Sequence, residues 1–162
     1  MSRTHHKNIE VRAAVITVST SRTEKTDLSG KIIRTCFENA AISVVSQTLV
    51  PDIETDIRHA VEGAAAAANC VVVTGGTGLT ADDRTIEAVS PLFRKRMDGF
   101  GELFRRLSYE EVGTAVLLSR AAAGLVCRSA VFCIPGSPNA VQTAMEKIII
   151  PEIRHILTHA GQ

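Results

Sequence analysis

The residues best suited to chemistry fall in one string, Thr74-Gly75-Gly76-Thr77-Gly78-Leu79-Thr80-Ala81-Asp82-Asp83-Arg84-Thr85. Its three glycines let a backbone turn tightly, approach a ligand closely and direct several N–H groups at it. A helix expected from about Arg84 adds a dipole that favours an anion. A phosphate or carboxylate is the natural guest, and a tight strand-to-helix turn with no ligand is the plainer alternative. No lysine follows Gly78, so the string is not a P-loop. Gly76-x-Gly78-x-x-Ala81 matches the dinucleotide fingerprint, but Asp82 and Asp83 would repel a pyrophosphate there. An NAD-dependent oxidoreductase would also need a ribose-binding acid on the next strand, and none is found.

Carboxylates beside such a loop make sense when a magnesium ion joins them to phosphate oxygens, since Mg²⁺ uses one or two carboxylates plus substrate phosphates. Asp83 is one candidate. Asp52, directly after Pro51 at the end of another apolar run, is the candidate partner at the same sheet edge. Either could instead cap a helix. In a second loop, Pro135-Gly136-Ser137-Pro138-Asn139, Pro138 suits the first position of a helix, and Ser137 can bond a phosphate or cap that helix.

These loops need elements to hold them. Ala13 to Val18 and Ala130 to Ile134 are apolar, strand-like runs, and Cys70 to Thr74 reads as a strand buried on both faces. Ala41 to Val50 alternates enough for a further strand. Lys31 to Asn39 reads as a helix, as does the segment from Asp52 with Ile53, Ile57, Val61, Ala64 and Ala68 at helical spacing. Val141, Ala144, Met145 and Ile148 mark a last helix, interrupted or kinked near Pro151. Phe100 to Gly124 reads as irregular. Strands alternating with helices predict a three-layer α/β/α domain with a mainly parallel sheet, where ligands bind outside the carboxyl ends of the strands. One domain over residues 1–162 is expected, with residues 1–10 a flexible tail.

The ordered set Ser19 to Arg22, Asp27 to Gly30, Val50-Pro51-Asp52, Thr74 to Asp83, Gly99 to Glu102, Ser119-Arg120 and Pro135 to Pro138 resembles the MoaB/MogA family of molybdenum cofactor biosynthesis proteins. Pro91-Leu92-Phe93, Gly99 to Arg105 and Leu107 to Thr114, taken in that order, are similar to the MoaB branch in particular. The resemblance runs from about residue 11 to residue 157. It implies a molybdopterin adenylyltransferase using ATP and Mg²⁺ and releasing pyrophosphate, with Asp52 and Asp83 as catalytic and metal-holding carboxylates. It also implies that Thr20, Ser21, Gly75, Gly76, Thr77, Gly78, Thr85, Glu87, Ser119, Arg120, Pro135, Gly136, Ser137 and Pro138 bind the substrates. The implied assembly is a homotrimer or hexamer, and the implied partner a molybdate-inserting enzyme. At Asn139 the chain departs from the lysine usual in the family, and Arg84 or Arg120 is the candidate replacement cation. A non-catalytic molybdopterin-binding or scaffold protein is the alternative.

Composition sets the outer bounds. The 162 residues carry 18 Lys+Arg against 17 Asp+Glu, a net charge of +1, and 45% are apolar. That balance excludes a general nucleic-acid binder and an acidic disordered chain. Basic residues concentrate only at Arg94-Lys95-Arg96 and Arg105-Arg106, read as a solvated face, an attractor for an anionic substrate or an inter-subunit rim. The uncharged stretch Gly63 to Thr80 is broken by Asn69, threonines and glycines, so no membrane span is expected. Met1 to Arg12 lacks the apolar core of a secretory leader. Cys36, Cys70, Cys127 and Cys133 show no CxxC spacing, and the last three sit in apolar runs. Reduced thiols in a cytoplasmic protein are expected, with those three buried and no zinc site. His155 and His159 lie on an expected exposed helix face.

Overall fold

The computed structural model describes residues 8–161. Six strands form one sheet in the order β2-β1-β3-β6-β5-β4. These are β1 (Arg12–Val18), β2 (Ser43–Val50), β3 (Cys70–Thr74), β4 (Lys95–Arg96), β5 (Ala122–Val126) and β6 (Ser129–Ile134). β2, β1, β3 and β6 pair in parallel, while β5 runs antiparallel to both its neighbours. The mainly parallel sheet expected from the apolar runs is therefore present. β1 and β3 are buried on both faces because helices cover both sides.

The helices are α1 (Leu28–Asn39), α2 (Glu54–Ala67), α3 (Thr85–Val89), α4 (Asp98–Val112), α5 (Pro138–Ala144) and α6 (Ile150–Ala160). One core joins Ala13, Val15, Val72 and Phe132 to residues of α1, α4, α5 and α6. The other joins Ala14, Ile16, Val71, Val73 and Val131 to α2 and α3. Phe132 sits 5.2 Å, edge to face, from Phe100 of α4. The helices that follow β2, β1, β3 and β6 thus lie alternately on one face and the other. Connecting loops of neighbouring strands diverge at each alternation, and clefts open between them at the carboxyl edge.

α1 begins three residues before the expected helix. Asp27 caps it, accepting from the Gly30 amide at 2.9 Å while the Thr17 hydroxyl donates to the same carboxylate at 2.6 Å. Asp52 does not cap α2: Ile53 holds the cap position without a side-chain bond. The Ala64–Ala68 run does end that helix against the sheet, where the Ser129 hydroxyl reaches the Ala65 and Ala68 carbonyls.

Phe100 to Gly124 is not irregular. It holds most of α4, a 3₁₀ segment over Gly113–Leu118, and part of β5. Gly101 is required there because a Cβ would lie 2.8 Å from the Ala121 carbonyl oxygen, and Gly124 because one would meet the Phe93 ring at 2.5 Å. A π-helical segment, Met145–Ile149, interrupts the last helix just ahead of Pro151, whose missing N–H cannot continue a regular ladder.

The expected tail over residues 1–10 lies mostly outside the described residues. Within them, Ile9 already packs on the core, and the Asn69 side chain donates to the Glu10 carbonyl and accepts from the Arg12 amide. The chain is therefore held from nearer its start than that boundary. Cys70 and Cys133 are buried, and burial pushes the Cys133 thiol up to about 12. Cys127 is not buried: it sits exposed in the β5–β6 turn at φ 54°. No described helix is long and apolar enough to cross a membrane.

Candidate functional site

Two clefts flank the loop that follows β3. The first, of about 490 Å³, opens between the loops after β1, β2 and β3 and is lined by Val18 to Arg22, Asp52, Gly75, Gly76, Asp82 and Gly136. Asp52 anchors one wall: its Oδ2 accepts from the Thr20 amide at 2.9 Å and the Thr20 hydroxyl at 2.8 Å. Arg22 brings the cleft a cation, steadied by donation from Nη1 to the Ser29 hydroxyl at 3.1 Å. Ser29 in turn donates to the Gly136 carbonyl at 2.5 Å, tying the loops after β1 and β6 together.

The second cleft, of about 300 Å³, lies between the loops after β3 and β6 and is roofed by α4 and the 3₁₀ segment. Gly76, Thr77, Gly78 and Asp83 form one side, and Pro135, Gly136, Ser137 and Asn139 another. Phe104, Val112, Val116 and Leu118 supply an apolar wall. In that wall the Ser108 hydroxyl is buried and has no partner among the described residues. A buried hydroxyl left unpaired costs about 1–3 kcal/mol, so a polar atom of a ligand is its natural complement.

The shared loop is built to face an anion. Gly75 and Gly76 take φ of 96° and 69°, a left-handed turn that can present successive amides to an anion as a nest. The Thr85 hydroxyl donates to the Gly75 carbonyl at 2.7 Å and the Thr85 amide to the Gly76 carbonyl at 3.0 Å, turning these acceptors away from the clefts. No described residue accepts from the Gly76 or Thr77 amide. α3 has only five residues, so attraction for an anion would come from the loop amides rather than from a helix dipole.

Asp83 packs inside this loop, where its Oδ2 takes the Thr80 amide at 2.9 Å and the Thr80 hydroxyl at 2.8 Å. A Cβ on Gly78 would stand 2.7 Å from Asp83 Oδ2, so that glycine makes room for the carboxylate. Desolvation pushes the Asp83 carboxyl up, but the Thr80 hydroxyl, the Thr80 and Gly78 amides and the Arg120 charge together hold it below the ordinary carboxylate range. Glu87 is lowered chiefly by its hydrogen bond from Arg120. A depressed folded-state value means the unfolded chain binds the proton first. The stabilisation from Asp83 is then complete only well above the ordinary carboxylate range, and it fades as pH falls through that range and through the lower folded value. Thr80→Val removes the hydroxyl bond, and the acid limb of its melting temperature against pH is expected to be shallower than wild type. An unchanged limb would contradict this account.

Comparison with known proteins places the chain. Residues 14–155 match the family described as "Probable molybdopterin binding domain". Molybdenum cofactor biosynthesis protein B of Bacillus subtilis (strain 168) is 44% identical over 150 residues, covering 91% of this chain and 88% of its own. A crystal structure of a molybdenum cofactor biosynthesis protein B superposes with a TM-score of 0.90 at 43% identity, covering 94% of this chain and 97% of that one. The chain belongs to the MoaB/MogA family of molybdenum cofactor biosynthesis proteins. The tungsten cofactor synthesizing protein MoaB from Pyrococcus furiosus is a further structural neighbour, with a TM-score of 0.85 at 42% identity over 94% of this chain and 98% of that one.

Within this MoaB/MogA fold the residues singled out by sequence do not all meet. Thr20, Ser21, Asp52 and Gly75 line the first cleft, Thr77, Gly78, Asp83, Ser119, Pro135 and Ser137 the second, and Gly76 and Gly136 both. Asp52 and Asp83 therefore face different clefts, and it is Asp82 that shares Asp52's. Thr85, Glu87, Arg120 and Pro138 line neither: Thr85 is buried beneath the loop and Pro138 opens α5. Ser137 caps that helix, accepting from the Ala140 amide at 3.4 Å. Neither arginine considered as a substitute cation reaches a cleft, since Arg84 pairs with Glu54 at 3.4 Å and Arg120 with Glu87.

Sequence reasoning missed Arg22 as the cation, although it stands in the Ser19–Arg22 motif, and Ser108 as the unpaired hydroxyl. The basic residues at 94–96 occupy β4 and its approach and line neither cleft; Arg96 lies 5.8 Å from the Phe93 ring centroid. His155 and His159 are exposed, and their rings meet edge to face at 5.0 Å. Among the described residues no three His, Cys, Asp or Glu side chains gather as a metal cage. Magnesium needs only one or two carboxylates when phosphates complete its shell. The first cleft offers two carboxylates among hydroxyls, a hard-oxygen donor set of the right chemistry.

Proposed function

We propose that the chain is a molybdopterin adenylyltransferase. One observation carries the reading: two clefts of different character share a single glycine loop. An adenylyl transfer must hold two phosphorylated molecules with their phosphates against one another, and a nest common to both clefts suits that task. Magnesium would be held by Asp52, with Asp82 beside it, and would neutralise charge on the phosphates. A terminal phosphate oxygen of molybdopterin attacks the α-phosphorus of ATP; the new P–O bond forms as the bond to the β-phosphate breaks, and pyrophosphate leaves with the electron pair. The Gly76 and Thr77 amides meet the phosphate oxygens, and Arg22 adds a positive charge in the first cleft. The apolar wall takes a heteroaromatic ring, to which Ser108 gives or accepts a hydrogen bond.

The second cleft has no Lys or Arg among its lining residues and carries Asp83 and Glu111. This observation favours the second reading, a family member that binds molybdopterin without turning it over. Incubation with ATP, Mg²⁺ and molybdopterin separates the two. Pyrophosphate released only when all three are present supports transfer; tight molybdopterin binding with no pyrophosphate overturns it. The same reading includes a homotrimer or hexamer, supported by exposed Tyr109 and Leu117, and light scattering checks it.

A further inference from the structure

We propose that Arg120 and Glu87 form a clamp that sets the shape of the loop after β3, making Arg120 a positioning residue rather than a ligand for phosphate. The argument rests on how completely Arg120 is engaged. Its backbone amide donates to the Thr77 carbonyl at 3.1 Å. Its Nε donates to the Gly78 carbonyl at 2.8 Å and its Nη2 to the Asp83 carbonyl at 3.4 Å. Nη1 and Nη2 also fork onto the two oxygens of Glu87.

All three guanidinium nitrogens are therefore spent on the loop and on α3. The bonds span both ends of the loop segment from Thr77 to Asp83. They draw the Thr77 and Gly78 carbonyls toward Arg120 and away from the ligand, which is the orientation the anion nest requires. A lysine presents one compact ammonium and cannot reproduce the planar fork. Glu87 fixes the guanidinium plane and holds it back from the clefts.

A clamp and a direct ligand respond oppositely when Glu87 is removed. If Arg120 were a phosphate ligand held in reserve, Glu87→Ala would free its charge and tighten anion binding. A clamp loses its anchor, the loop loosens, and binding weakens.

The inference rests on the adenylyltransferase reading, but its test does not depend on turnover. Inorganic pyrophosphate with Mg²⁺ serves as the probe by calorimetry, and exchange of the loop's hydrogen-bonded amides, those of Asp83 and Thr85 that donate to the Thr80 and Gly76 carbonyls, is followed in the ligand-free protein. Glu87→Ala and Arg120→Lys are each expected to raise that exchange and to weaken pyrophosphate binding about tenfold, the loss of one charge-assisted hydrogen bond. Tighter binding in Glu87→Ala, or loop exchange unchanged in both variants, overturns the clamp. If Arg120→Lys does not fold, Glu87→Ala, altered on the surface of α3, still decides. Should wild type release no pyrophosphate from ATP and molybdopterin while the variants shift exchange and binding as stated, the clamp stands and the transferase reading falls.

Discussion

Asp52→Asn is expected to slow pyrophosphate release by about a hundred- to a thousandfold, the equivalent of roughly 3–4 kcal/mol of transition-state stabilisation. The side chain is nearly isosteric, and its oxygen can still accept from Thr20, so the wall between the loops after β1 and β2 should survive. What disappears is the negative charge, which a magnesium-bound phosphate chain needs nearby. Melting temperature should therefore change little while turnover collapses. Measuring both on the same preparation separates chemistry from folding, and an activity loss smaller than tenfold would remove Asp52 from the proposed machinery.

Gly75→Ala carries the largest expected effect on stability. Gly75 sits at φ 96°, where a Cβ would strike the Val18 carbonyl oxygen, a backbone atom that cannot swing aside. Its amide donates to the Ile134 carbonyl at 3.0 Å and its own carbonyl accepts from Thr85, so the residue stitches the end of β3 to the end of β6 and the start of α3. Positive-φ strain and overpacking together should cost about 3 kcal/mol. For a chain of this size that lowers the melting temperature by about 6–12 °C. Gly63, inside α2 with nothing within 4 Å of its virtual Cβ, is the control. There the same substitution should raise stability slightly, by about 0.5–1 kcal/mol, because alanine is the better helix former. Equal effects at the two positions would refute the steric argument.

Local pattern announced the framework. β3 and β6 are short apolar runs ending in loops rich in glycine or proline, and the Ile57–Val61–Ala64 stripe of α2 recurs at a helical period. α4 was hidden because Gly99 and Gly101 look like breakers, although Gly101 is small to let the helix approach the Ala121 carbonyl. β5 was hidden because its residues are mostly small rather than β-branched, a choice imposed by the Phe93 ring against Gly124. The glycine loop itself could be read from residue type alone. The assignment of carboxylates to clefts could not, because Asp82 and Asp83 are adjacent in sequence and only the turn at Thr80 decides which faces where. Arg120 shows the same limit: its type suggests a phosphate ligand, whereas Glu87, Gly78 and Asp83 consume it.

The wall common to the two clefts has a thermodynamic consequence. In the proposed reaction, whichever substrate binds first meets the cost of fixing the Gly76 and Thr77 amides, which no described residue holds, and the second finds them already set. Linkage then requires each guest to strengthen the other by the same factor, whatever the order of arrival. In that proposed reaction a single stretch of backbone makes the encounter of the two substrates cooperative without any movement of the sheet.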